Sequence, residues 1–464
     1  MTSKTLSAAA FMFFATLFST IALGAHLQGA YDGLYIGVSE YLLMNGLSGL
    51  FFALASPQPL LILRPTGPIT LILENLIVVS QSFNVNFWHL IACCGYCTGF
   101  YLIIVSSFEL SRYTKHLTRF THETFTCYVC SIYIYSGVKD IVEAFLGWDV
   151  DAGADNNAKA GHGSALLMAS IAALTVCVCM GLSVLCKRTD QSPSWLSHCR
   201  LACLAPSVTA QGIISDNAVS VAVVMSTLVS YLPGLLGFNV FVERVNLPEY
   251  SFPPSPTAPD FKGNGRDGWT VDFADDSAGR WYTLGIAAVI SLPIAFFFYV
   301  DQNLSSLLSQ RPHMPGMHKG VYMHGPMLVM ALCNVIGPSF GLPFVTASLP
   351  HSPQLMSVPV CHEGRGAPVI IYSLILLTAV LPVLAPIIRS IPLGAARGVL
   401  IFVGIAGIMN TQIAILIFFW VLNLSPSPAG LAVAFIVAAL APIRLKVLPS
   451  FFSDHDLDIL DGGY

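Results

Sequence analysis

QPLLILRPTGP, from Gln58 to Pro68, and GLPFVTASLPHSP, from Gly341 to Pro353, decide how this chain is read. Both lie inside long stretches almost free of charge. Pro59, Pro65 and Pro68 punctuate the first, and Pro343, Pro350 and Pro353 the second. Proline lacks an N–H and clashes with the preceding turn, so a helix is hard to carry through either stretch. The two occupy comparable places in the two halves of the chain. Paired interruptions of this kind are the best sequence pointer to a transporter's binding site. A helix that starts within a membrane leaves its first N–H groups unpaired and carries a partial positive charge there. Two such starts facing each other form an anion site. The alternative is that the prolines only kink continuous helices, which membrane helices tolerate.

Composition supports a membrane setting. Of 464 residues, 55% are hydrophobic and 10% charged. Soluble domains carry about 25% charged residues, so too few remain here to cover a water-facing surface. A formal net charge of −4 gives no reason to expect nucleic acid as a partner. The Cys94/Cys97 and Cys127/Cys130 pairs have CxxC spacing but fall in apolar helical stretches, where cysteine acts as a small hydrophobe. No metal or other cofactor is expected from them.

Runs without Asp, Glu, Lys or Arg mark the candidate spans. They are 6–24, 41–63, 87–108, 163–186, 217–242, 281–300, 321–361, 366–388 and 398–443, with a weaker aromatic segment at 120–145. The first is read as a membrane helix rather than a signal peptide, because Gly24-Ala25-His26 is a poor cleavage site. Splitting the longest runs at their prolines predicts an all-α polytopic membrane protein of 13–14 transmembrane helices. Arg112, Lys115 and Arg119, then Lys187, Arg188 and Arg200, then Arg311 and Lys319, place alternate loops in the cytosol. The loop with Asp149, Asp151 and Asp155 and the long acidic segment at 243–280 fall on the other side. Asn303-Leu304-Ser305 and Asn423-Leu424-Ser425 match the glycosylation sequon but lie in no long external loop.

Charges within spans are expensive and usually functional. Arg64 precedes Pro65 at the start of the first half-helix, where forked guanidinium donors suit a trigonal oxyanion. Its alternative is a buried ion pair with Glu40 or Glu74. Asp301 closes the run IAFFFYVDQNL and would bind Na+ or a proton beside the anion; the alternative is an ordinary helix end at the interface. Thr66 either hydrogen-bonds substrate or back-bonds to its own helix. His351, in the second broken segment, either donates to the anion or is satisfied structurally. His122 and Glu123 are adjacent and face different sides of a helix, so they form no ligand pair. No GxxxxGK[ST], HExxH or GxSxG motif occurs, so neither ATP-driven transport nor a membrane hydrolase has support. No enzymatic activity is expected.

At these residues the chain resembles the bicarbonate transporter family of solute carriers, which includes anion exchangers, sodium–bicarbonate cotransporters and borate transporters. GVSEYLLMNGLSGLFFALASPQPLLILRPTGP, from Gly37 to Pro68, is similar to the family's second and third helices. SRYTKHLTRFTHETF, from Ser111, resembles its fourth-to-fifth helix junction, and DNAVSVAV, from Asp216, its seventh helix. GRDGW, from Gly265, is similar to the segment before the eighth helix, and RSIPLGAARGVLIFVGIAGI, from Arg389, to the twelfth.

The resemblance implies two inverted repeats of seven spans, divided between a core and a gate, with the third and tenth helices broken. The repeats would fill 1–234 and 281–449 of a single transmembrane domain, with an extracytosolic loop at 235–280 and a short cytosolic tail at 450–464. Thr66 and Gly67 would belong to the third-helix start, Asp301 to the eighth helix, and Ser348 to His351 to the tenth. The implied function is secondary transport of an inorganic anion, bicarbonate or carbonate, by elevator-like alternating access. A homodimer, through the gate, is implied. The plasma membrane is favoured over an organelle envelope.

Some features depart from the family. Its third helix usually has a small residue where Arg64 stands, and the tenth-helix Arg of the anion exchangers has no counterpart here. Arg64 is expected to supply that missing positive charge. An acid of the Asp301 type resembles the cation-coupled members and predicts Na+ dependence. LPHSP is closer to the borate branch, so borate efflux is the alternative substrate reading. The large cytosolic amino-terminal domain of many members is not in the sequence. Ile408-Met409-Asn410 also runs almost directly into Thr411, where the family has a longer cytosolic segment. A shortened, inactive member or a non-transporting membrane scaffold is therefore the reading of another class.

Overall fold

Two helices end, rather than bend, at the proline-rich stretches. In the computed structural model, helix α2 (Val38–Ala55) stops at Ser56, and helix α3 (Gly67–Ser82) begins eleven residues on. Between them the chain is extended and forms strand β1 (Leu63–Arg64). In the other half, helix α10 (His324–Ser339) stops before Gly341, and the extended segment that follows contains strand β2 (Thr346–Ala347). The kinked-rod alternative is thereby excluded. The structure describes residues 3–31, 35–116, 119–146, 162–186, 218–237, 280–310, 322–348, 364–381 and 385–408, with 240, 242–245, 271, 351–352 and 355.

The remaining elements follow sequence rules. Helix α1 (Ser3–Ala30) is followed by α2, whose start is fixed by Glu40 accepting from the Gly37 N–H at 3.0 Å. Helix α4 (Phe87–Ser107) starts at an N-cap Asn86 that accepts from Trp88 N–H at 2.8 Å. A 3₁₀ turn (Leu110–His116) leads to α5 (Arg119–Leu146) and α6 (His162–Cys186). Helix α7 (Ala218–Val229) and a short α8 (Leu232–Leu235) close the first half. The second half holds α9 (Arg280–Ser309), α10, α11 (Gly366–Val380), α12 (Ala385–Arg389) and α13 (Leu393–Ile408).

Among the described residues, six helices are long and apolar enough to cross a membrane: Met12–Ala30, Val38–Ala55, Phe87–Ser107, Gly163–Leu182, Ala218–Leu235 and Trp281–Ser309. Large apolar side chains such as Leu54, Phe100, Leu166, Leu228 and Val289 point outward, as a lipid-facing surface requires. The expected spans and tail beyond 408, the Ile408-Met409-Asn410 junction past Ile408, and the loops at 147–161 and 187–217 lie outside the described residues. So do the side chains of His122 and Glu123.

The helices pack as two groups. Helices α9 and α10 lie on α4, and α11 lies on α2. Helix α13 lies on α5 and α6, and α7 lies on α6. Small residues bring backbones together, the usual device where lipid removes the hydrophobic drive between helices. A Cβ on Gly95 would stand 2.8 Å from the Asn334 carbonyl of α10, and one on Gly398 2.7 Å from the Ala172 carbonyl of α6. Helix α1 touches both groups, meeting α2 and α11 on one side and α13 on the other.

Candidate anion site

The two breaks meet. Strands β1 and β2 pair antiparallel, with Leu63 opposite Ala347 and Arg64 opposite Thr346. Antiparallel pairing of two segments that each follow a helix end is what opposed half-helices require. Extended backbone inside a membrane must find its hydrogen bonds within the protein. Here several are met by particular side chains, beside the backbone bond from Ser348 N–H to the Ile62 carbonyl. Asn334 bonds both the N–H and the carbonyl of Val345 at 2.8 Å. Gln302 accepts from Ala347 N–H, and Ser305 donates to its carbonyl. Tyr372 accepts from Leu63 N–H at 2.8 Å, and Ser352 accepts from Ile62 N–H at 3.1 Å. Tyr372 reaches that place because Gly49 has no side chain; a Cβ there would lie 1.9 Å from its ring.

Arg64 is fully buried at this junction. Its Nη1 donates to Ser19 at 2.5 Å and to Thr20 at 3.5 Å, both on α1. Its Nη2 donates to the Tyr133 hydroxyl of α5 at 3.3 Å, and its Nε to the Ser348 hydroxyl at 3.3 Å. All four partners are neutral. The expected alternative, an ion pair with Glu40 or Glu74, is not formed: Glu74 pairs with His26, and Glu40 caps α2. Among the described residues, no carboxylate comes within ion-pair distance of the guanidinium.

The other sequence-selected residues gather around it. Thr66 is the extended residue that begins α3, and its hydroxyl makes no cap to its own helix. It faces the Thr346 hydroxyl at 3.5 Å instead. The Gly67 N–H, at the positive end of α3, donates to Tyr133 at 3.1 Å. Ser348 stands just before the second helical segment rather than within it: its carbonyl accepts from Ser352 N–H at 2.9 Å. The Ser348 hydroxyl also bonds His351 Nδ1 at 3.0 Å. That ring nitrogen therefore holds Ser348 in place and does not reach the guanidinium.

Asp301 does not close a helix. Helix α9 runs on to Ser309, and the carboxyl is 1% exposed. Its Oδ2 accepts from the Thr346 hydroxyl at 2.6 Å. Among the described residues, no Lys, Arg or His pairs with it. Asn303, two residues on, is fully buried, which removes it as a glycosylation acceptor. One junction thus holds a cation without a carboxylate and a carboxylate without a cation, with Thr346 paired to Arg64 along the strand and bonded to Asp301. Burying either charge without a partner is costly.

Residues 1–165 and 207–414 match the family described as the HCO3- transporter integral membrane domain. The chain belongs to that family. Among its relatives, anion exchange protein 3 of Danio rerio is 22% identical, over 99% of this chain and 42% of the relative. Sodium bicarbonate cotransporter 3 of Rattus norvegicus is 23% identical, over 87% of this chain and 36% of the relative. The chain spans about half the length, or less, of the relatives it matches. The transmembrane domain of a cyanobacterium bicarbonate transporter, BicA, superposes with a TM-score of 0.59 at 14% identity, covering 95% of this chain and 97% of that one. That likeness gives the fold, a helical inverted-repeat arrangement, and the family match makes it an integral, multi-pass membrane domain.

Family membership leaves the individual roles to the geometry. Ser19, Thr20, Tyr133 and Thr346 were not singled out from the sequence. Serine and threonine in membrane helices usually bond back to their own carbonyls, as Ser19 also does to Ala15. Tyr133 lies among other aromatic residues on α5, and nothing in its spacing marks it.

Proposed function

We propose that the protein carries bicarbonate or carbonate across the membrane, with the anion bound at Arg64 between the two broken segments. The supporting observation is the buried guanidinium held by hydroxyl groups alone. An oxyanion there gains its charge and forked donors, together with the positive start of α3. Thr66, Gly67 and Ser348 are placed to hold its oxygens, and His351 orients Ser348. The bare carboxyl of Asp301 supports a co-transported Na+ next to the anion. Alternating access follows if the group of helices bearing the breaks slides against the group of α5, α6, α7 and α13. In this reading the second group also forms the dimer contact, and the plasma membrane is the site of action.

A second reading keeps the same site but changes the cargo. Six hydroxyls surround it, from Ser19, Thr20, Thr66, Tyr133, Thr346 and Ser348, a lining that also suits borate. Radiolabelled bicarbonate flux in proteoliposomes, with Na+ or choline outside, is expected to be fast only with Na+. Equal flux in both media refutes the Na+ coupling. No bicarbonate flux with rapid boron movement transfers the assignment to borate, and flux of neither defeats the transport reading.

A further inference from the structure

A second group of buried charges lies apart from the anion site. His26 of α1 places Nε2 2.9 Å from Glu74 Oε1 of α3, within ion-pair distance, and hydrogen-bonds Asp140 of α5 through Nδ1 at 2.7 Å. Arg397 of α13 donates from Nε to the other Asp140 oxygen at 3.2 Å. His26, Glu74 and Asp140 are all buried, and Arg397 nearly so. Both imidazole nitrogens face carboxylates, an arrangement that suits the doubly protonated ring. Two cations then balance two anions, which is how charges survive inside a membrane.

The arrangement spans the boundary between the two helix groups. His26 sits on α1, which touches both groups, and Glu74 on α3, which lies on α4 of the first group and on α5 of the second. Asp140 and Arg397 sit on α5 and α13, which are pressed together at Gly137 and Gly404. Each side therefore keeps a neutral pair of its own. The contact crossing the boundary, His26 Nδ1 to Asp140 Oδ1, can break without stranding a charge. A bond meant only to hold a fixed fold gains nothing from that division, because an undivided network is equally neutral.

We propose that His26, Glu74, Asp140 and Arg397 form a latch between the two helix groups, parting at the His26–Asp140 contact and closing again as they slide. These are positioning residues and do not touch the anion. The inference rests on the sliding movement proposed above. In a two-state protein, a contact made in one state alone biases the population toward that state.

The test uses two double variants that each stay neutral, His26→Gln with Glu74→Gln and Asp140→Asn with Arg397→Gln, and the quadruple variant. Spin labels replace the outward-facing Phe100 of α4 and Leu166 of α6 in the full chain in lipid. Pulsed electron resonance reads the distance between the two groups, and bicarbonate flux gives turnover and KM. Either double variant is expected to shift the distance distribution and change turnover by about threefold or more, with KM for the anion within about twofold. The quadruple variant is expected to match the doubles, because a single crossing contact can be lost only once. Effects that add in the quadruple variant, or an unchanged distance distribution, overturn the latch. Absence of flux in the unmodified protein would sink the transport reading, while the distances would still report on the latch.

Discussion

Arg64 and His26 are both buried basic side chains within the membrane domain, and they are held in opposite ways. His26 sits between two carboxylates, and the second of these is shared with Arg397. Arg64 sits among hydroxyls and finds no carboxylate among the described residues. The first group is electrically complete without any ligand. The second has no counter-ion among the described residues. Burial alone therefore does not tell the two apart; the presence of a counter-ion does. The carboxyl of Asp301 repeats the pattern with the sign reversed.

The largest effect should come from removing the uncompensated charge. Arg64→Gln is expected to lower anion flux by about a hundredfold, since a charged hydrogen bond to substrate contributes up to about 3 kcal/mol. The protein should still fold, because no internal carboxylate loses its partner. Flux assays beside a thermal melt check both halves; a large loss of melting temperature would place Arg64 with His26 as a structural ion. Asp301→Asn is expected to remove the difference between Na+ and choline media. A Na+ stimulation that survives the change would make the missing counter-ion of Asp301 irrelevant to coupling.

Within the complete group the expected sign reverses. Arg397→Gln should destabilise the protein by about 3 kcal/mol, because breaking one partner of a buried pair leaves a charge without compensation. Adding Asp140→Asn should recover part of that loss in the same melting experiment. If the double variant is no better than the single, the group is not held together by charge. The smallest effect concerns the hydroxyl lining: Thr66→Ala should raise the anion KM by about fivefold, the equivalent of one neutral hydrogen bond of about 1 kcal/mol. No change would remove Thr66 from the ligand shell.

Much of the fold was legible because lipid imposes strict rules on a chain. Uncharged runs gave the helices, and the prolines gave both breaks. The limits of the runs were less well marked: α2 ends at Ala55 inside the run 41–63, and α9 passes eight residues beyond Asp301. A run stops at a charge, whereas a helix stops where its hydrogen bonds find other partners. Asp301 is accommodated by Thr346, so its charge did not end the helix. Of the candidate site, Arg64 and Thr66 were readable from their positions beside the prolines, and Gly67 and Ser348 only from the family resemblance. Tyr133, Ser19 and Thr20 were not, since they lie in unbroken helices far away in sequence.

From its residues alone, this protein is bound to be a bundle of membrane helices with two opposed interruptions, because uncharged runs need lipid and proline cannot extend a helix. Only the tertiary structure decided which buried charge keeps a partner. Glu74 is ten residues from Arg64 in the chain, yet it pairs with His26 on another helix. Partnership between charges depends on distance in space, and spacing along the sequence does not encode it between separate helices.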